Sequence, residues 1–367
     1  MIIWTQAIKQ ITNKILSSLD TSEHSILTDT LEIVSDGNML YFNVTNKEYY
    51  VRIGIELSSK CEFHATVNAS MFLKLISQIT TDTVELTVTD KSLEVEGNGR
   101  FKIPLMLAFD KLLELPELTI DNVVHDFTIS KDVLFSINNY NTREITGNAV
   151  SDIIRKSYYI DDKGCITFTT GACVNHFTLP DKIKLILGPT IVKLFKLFND
   201  DDVRFEMGFN QIGDNMQTRI KLSDSSVEVS AITYSSDGLI TKFPVEAIRA
   251  RADKVYPFST TVNRNEFAQS LNRFEIFSNY DTNTSECKFT FLDSNLVIEN
   301  STGDTESIKL ETPIGDTYSA VLDLYALKNI VNYSKDTTIN VNFGDHEAFV
   351  FVKGDISNII PECDTEE

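Results

Sequence analysis

The chain has 367 residues, 42% of them hydrophobic, and a formal net charge of −20. That length exceeds one ordinary core, so two or three domains are expected, and no uncharged apolar run approaches the ~20 residues that a membrane span needs. The acidic balance by itself opposes unspecific binding to a polyanion, unless the cations are gathered on one face.

The N-terminus, MIIWTQAIKQITNKIL, has no signal-peptide core, and a cytoplasmic chain is expected. It places Trp4, Ile8, Ile11 and Ile15 in one apolar helical stripe, with Lys9 and Lys14 off it. Strand text follows: TLEIVSDGNMLYFNVTN, with Asp36-Gly37 as a hairpin turn, then YYVRIGIEL. From Val67 to Ile103 the order recurs. Phe72, Leu75, Ile76 and Ile79 make a helical stripe that Asn68 or Ser70 can cap. The period then changes to two: Val84, Leu86 and Val88, then Leu93 and Val95, then a Gly97-Asn98-Gly99 turn and Phe101 and Ile103.

From Phe127 the order begins again. A helix carries Val133, Leu134 and Ile137, and strands run to Leu179. Gly188-Pro189 opens a helix with Ile191, Leu194, Phe195 and Phe198, and more strands follow. A third round starts near Val262, where VNRNEF (262–267) echoes VNASMF (67–72). Phe267, Leu271 and Phe274 form its stripe, and a sixth helix buries Leu324, Leu327 and Val331 before TTINVNFGDHEAFVFVKGD closes the sheet. Six helix-plus-meander units in three pairs are an internal repeat and predict an α+β fold with antiparallel sheets.

Five scattered cysteines without a CxxC pair, and five dispersed histidines, signal neither a disulfide framework nor a metal site. GxSxG and Walker A motifs are absent, and the Gly97–Gly99 GxG sits in a hairpin, where it cannot cradle a phosphate. The run Asp200–Asp202 reads as a solvated turn. No enzyme activity, cofactor or metal is expected.

Three stretches carry a resemblance to a family. VNASMFLKLISQI…VELTVTD…LEVEGNGRFKI resembles the second half of the first domain of the bacterial DNA sliding clamp, the beta subunit of the replicative DNA polymerase. TFTTGACVNHFTL (167–179), followed by a helix and LITKFPVEAI (239–248), resembles that family's second domain, and NIIP (358–361) its ending. The resemblance covers essentially the whole chain and rests on order and spacing. It implies three similar domains, at 1–122, 123–250 and 251–367, with helices on the inner face and sheets on the outer. It further implies a head-to-tail homodimeric ring around double-stranded DNA, with a replicative polymerase and a clamp loader as partners and no membrane. A divergent or phage-encoded member would look like this.

Non-core helix positions then supply DNA-facing cations: Lys9, Lys14, Lys74, Lys131, Lys193, Lys196, Arg264, Arg273, Lys328 and Lys335. Their contacts would be to phosphates and so independent of base sequence. The resemblance places a partner-peptide pocket at Thr169, Thr170, Gly171, Ala172, Cys173, Val174, Pro244, Ile248, Ile359 and Ile360. Thr170, Ala172 and Cys173 stand where the family often has Asp, His and Arg, and Glu362 to Glu367 replace its short Met-Arg-Leu ending. The ring seam falls at Phe101, Ile103, Ile276 and Phe277. Residues 20–26, DTSEHSI, offer only His24 where the family often has an Arg on DNA. Two other classes remain: a monomeric accessory protein with the same fold, and a phage structural or carbohydrate-binding β-rich protein.

Overall fold

The computed structural model describes residues 1–19, 25–142, 152–278, 286–333 and 337–363. They form two compact units, one of Met1–Phe135 with Gly188–Ser235, the other of Ser136–Leu187 with Ser236–Glu367. The named strands pair antiparallel throughout.

The first unit contains a four-stranded sheet in the order Ile2–Trp4, Thr83–Val88, Ser92–Glu96, Arg100–Pro104. Its eight-stranded sheet joins two four-stranded halves where Val227–Ile232 pairs with Tyr49–Glu56, Val229 opposite Val51. The Asp36–Met39 hairpin turns through Gly37, whose φ of 63° is open to glycine at no steric cost.

The helix Thr5–Ser18 buries Ile8, Ile11 and Ile15, as its spacing predicts. Trp4 departs from the stripe. Its backbone is extended because it pairs with Thr83 as the last residue of a strand, and its side chain is 66% exposed. In the helix Ala69–Gln78, Asn68 supplies the cap: its side chain accepts from the Met71 N–H at 3.0 Å. The buried face is Ala69, Phe72, Leu73 and Ile76. Leu75 is therefore off the stripe assigned to it, and Ile79 is buried from the C-cap. The strand His64–Asn68, paired with Thr30–Asp36, delivers the chain to the helix and fixes this phase. After Gly188, a short helix Pro189–Val192 tightens to a 3-10 turn over Lys193–Leu197. Ile191, Leu194, Phe195 and Phe198 are all buried there.

The second unit repeats the plan. Its eight-stranded sheet is joined where Ala172–His176 pairs with Ile356–Pro361, and its four-stranded sheet runs Thr305–Lys309, Asn295–Glu299, Glu286–Leu292, Thr317–Asp323. The helix Arg264–Ser278 begins as Ala69–Gln78 does. Asn263 ends a strand and accepts from the N–H groups of Asn265 (3.0 Å) and Glu266 (3.2 Å). The repeated Val-Asn-x-x-x-Phe text is thus a strand end, an N-cap and a first core aromatic. Phe267, Leu271 and Phe274, with Leu324, Leu327 and Val331 of the helix Leu324–Tyr333, enclose one core. Packed rings fill its sheet side, Phe291 tilted against Phe343 at 4.3 Å and Phe343 stacked on Phe349 at 5.0 Å between centroids.

Candidate functional site

Acids outnumber bases 53 to 33 in the chain, yet among the described residues four of the six helices expected from the repeat contain no Asp or Glu. These are Thr5–Ser18, Ala69–Gln78, the run Pro189–Val192 with Lys193–Leu197, and Leu324–Tyr333. Lys131–Ser136 carries Asp132, and Arg264–Ser278 carries Glu266 and Glu275.

The helix cations divide by what they touch. Lys131 pairs with Asp201 at 2.9 Å, Arg273 with Glu306, and Lys328 with Glu275. Lys14 donates to the Leu197 carbonyl at 2.6 Å, Lys193 to that of Leu19 at 3.4 Å, and Arg264 to that of Val331 at 3.1 Å. Burial lowers the Lys14 ammonium below its ordinary pKa, against the pull of Asp224 and Asp200. Lys9, Lys74 and Lys196 have no side-chain partner among the described residues, and Lys74 and Lys196 are exposed. A carboxylate partner already neutralises its cation, so these three offer the most uncompensated charge. Lys335 and His24 lie outside the described residues, as do Asp364 to Glu367.

A cleft of ≈ 330 Å³ opens in the second unit. Thr169, Thr170, Gly171, Ala172, Pro244, Ile248 and Ile359 line it, seven of the ten residues assigned to the partner pocket from sequence. The other three do not. Cys173 and Val174 are 0% and 1% exposed, and Ile360 faces the phenylalanine core, because neighbouring strand residues point to opposite faces. Phe168, Ala247, Arg251, Glu347, Ala348 and Pro361 complete the lining. They come from four separate stretches, so sequence spacing alone carried no signal for them.

The helix Val245–Ala252 forms one wall and is held at two points. Arg249 binds Asp161 through both terminal nitrogens, and Arg251 pairs with Asp345 and Glu347. Lys254 adds a 2.7 Å bond to Asp345. Burial opposes ionisation of Asp345, but the Lys254 and Ala348 hydrogen bonds and the Arg251 charge outweigh it and lower its pKa. The result is an apolar floor with ionic groups at one end, a geometry suited to an extended peptide with apolar anchors.

The seam residues separate too. Ile276 and Phe277 are 60% and 53% exposed at the end of the helix Arg264–Ser278, and Phe101 is 43% exposed on the free edge strand Arg100–Pro104. Ile103 is 3% exposed, opposite Leu93, and belongs to the core of its sheet. Among the described residues, no helix is long and apolar enough to cross a membrane, and no three His, Cys, Asp or Glu side chains gather to hold a metal.

Paired helices backed by antiparallel sheets, repeated along the chain, define the DNA-clamp fold, and this chain adopts it. It superposes over its whole length on the DNA polymerase III subunit beta of Borrelia burgdorferi, with a TM-score of 0.81, 13% identity, and 100% of this chain and 99% of that one covered. The DNA polymerase sliding clamp of Bacillus subtilis gives 0.80 and 13%, with the same coverage. The Helicobacter pylori beta clamp bound to a DNA ligase peptide gives 0.74 and 15%, with 99% of each chain covered. No family model matches the sequence, and no curated protein sequence matches it.

Proposed function

We propose that this chain is a sliding clamp, a non-catalytic processivity factor for a DNA polymerase. The observation that carries the proposal is the likeness in fold to bacterial clamps over 99–100% of both chains. On this reading the chain comprises three domains, 1–122, 123–250 and 251–367. Two copies associate head to tail, and six domains close around duplex DNA with the helices innermost. Tethering of this kind needs no chemistry at the clamp. It raises the effective concentration of the polymerase at the primer end.

The carboxylate-free helices support the DNA-facing role. They let a chain of net charge −20 present Lys9, Lys74 and Lys196 to phosphates, with Lys14 and Lys193 behind them. Because phosphates are alike at every step, such contacts allow sliding. The apolar cleft supports a docking site for a polymerase or loader peptide, and the Helicobacter pylori clamp was solved with a peptide bound. The free edges Arg100–Pro104 and Thr305–Lys309 support a heterologous seam that closes into a ring, with Phe101 exposed on the first and Ile276 and Phe277 exposed on the helix whose Arg273 pairs with Glu306 of the second.

Light scattering on the purified protein tests the assembly. A ring requires about twice the chain mass of 41.4 kDa at micromolar concentration. A stable monomer there would exclude the dimeric ring.

A further inference from the structure

We propose that a second cleft, beside the N-terminal helix, binds an unpaired base of single-stranded DNA by stacking it on Trp4. The inference stands on the first unit alone and does not require a closed ring.

The cleft measures ≈ 510 Å³ and lies between the start of the helix Thr5–Ser18 and residues 79–82. Trp4 lines it while remaining 66% exposed, because strand pairing with Thr83 holds its backbone outside the helix. Gln6, Lys9, Gln10 and Asn13 line it from the helix. None of these five side chains has a hydrogen-bond or ionic partner among the described residues. Thr5, which also lines the cleft and is 6% exposed, holds a buried hydroxyl without a partner. An unpaired buried hydroxyl is costly, so the helix start beside the cleft holds an unmet hydrogen bond. By contrast, the hydroxyls of Thr80 and Thr81 on the opposite wall are already engaged, by Asn98 and the Thr83 carbonyl.

This set of groups selects its ligand class. An exposed indole face offers stacking to any base. Three carboxamides carry both donors and acceptors, which suits the mixed edge of a nucleobase. Lys9 can meet the adjoining phosphate, and Asp82 is the one carboxylate of the lining. A duplex hides its base faces, so Trp4 gains nothing from paired DNA beyond its ends. An apolar peptide would leave the three carboxamides unpaired. A strand is favoured over a free nucleotide because the helix carries no carboxylate to repel the phosphates that follow.

Trp4 is the single tryptophan of the chain, so its emission reports this cleft alone. The experiment titrates the full-length protein with oligo-dT of about 20 nucleotides, a hairpin duplex of equal nucleotide count, and dTMP, at near-physiological salt. The proposal predicts saturable quenching by the single strand, little by the duplex, and much weaker quenching by dTMP. By anisotropy of labelled oligo-dT, Trp4→Ala should weaken binding by about tenfold or more, and Trp4→Phe by only a few-fold. Emission unmoved while anisotropy reports binding, or equal affinity of Trp4→Ala and wild type, overturns the proposal. Quenching by dTMP as strong as by the strand overturns the commitment to a strand. Retention of Trp4→Ala on circular duplex tests the clamp reading separately, since that retention does not depend on the indole.

Discussion

Arg249 grips Asp161 with both terminal nitrogens, Nη1 to Oδ2 at 2.8 Å and Nη2 to Oδ1 at 2.6 Å, and the two side chains are only 13% and 8% exposed. The bond to Asp161 holds the Arg249 guanidinium above its ordinary pKa although burial opposes it. The pair fastens the helix Val245–Ala252 to the strand Tyr158–Asp161, and so sets one wall of the apolar cleft. Arg249→Ala leaves Asp161 buried without its counter-charge and should cost about 3–5 kcal/mol. A lower urea midpoint checks this. An unchanged midpoint would mean that the wall is held by other contacts.

The cleft itself can be closed without touching that support. Ala172 lines it and is 6% exposed, so an arginine there would project into the space a peptide anchor needs. Ala172→Arg should abolish stimulation of the cognate polymerase in primer extension while leaving the solution mass unchanged. Full stimulation by this variant would exclude the cleft as the docking site.

Phe101 and Ile103 share a strand but not a role. Phe101→Asp should yield a folded monomer, because the phenyl ring is 43% exposed at a free edge. Ile103→Asp should instead unfold the first unit, since it buries a carboxylate opposite Leu93. Light scattering and circular dichroism together separate the two outcomes.

For DNA, the cations without partners should matter most. Each phosphate contact removed lowers the slope of log K against log salt by about 0.9 on duplex DNA. Replacing Lys9, Lys74 and Lys196 with Ala together should therefore lower it by about 2–3. Lys131→Ala should change it less, because Asp201 already occupies that ammonium. Equal effects from the paired and unpaired lysines would contradict the assignment.

Glu362 gives a pH dependence of known sign. Burial raises its carboxyl pKa, with a hydrogen bond from Tyr318 and the nearby His346 opposing the shift. A carboxyl whose folded pKa is raised binds its proton more tightly in the folded state. Its contribution is present at acid pH and is lost as pH rises through the folded value. Glu362→Gln should thus gain in melting temperature relative to wild type as pH climbs above the ordinary carboxylate range. A difference independent of pH would remove Glu362 as its source.

The helices were legible because their apolar spacing survives in the fold: Ile8, Ile11 and Ile15 in one, Phe267, Leu271 and Phe274 in another. Asn68 and Asn263 were legible as repeated text, and the structure gives both the same work as N-caps. What spacing could not supply was the phase imposed by strands. Pairing with Thr83 draws Trp4 out of the helix, and delivery of the chain by a paired strand turns Leu73 rather than Leu75 into the core. Strand parity likewise separates Ile359, in the cleft, from Ile360, in the core. Arg251 and Glu347 meet across 96 residues, and nothing local to either predicts the other.

The most direct test of the central claim is topological. The protein is loaded onto nicked circular duplex DNA by a clamp loader, freed of unbound protein by gel filtration, and the circle is then cut once. A closed ring predicts co-elution with the intact circle and release after cutting, because a sliding ring leaves through free ends. Equal retention on circular and linear DNA would contradict encirclement and leave only surface binding.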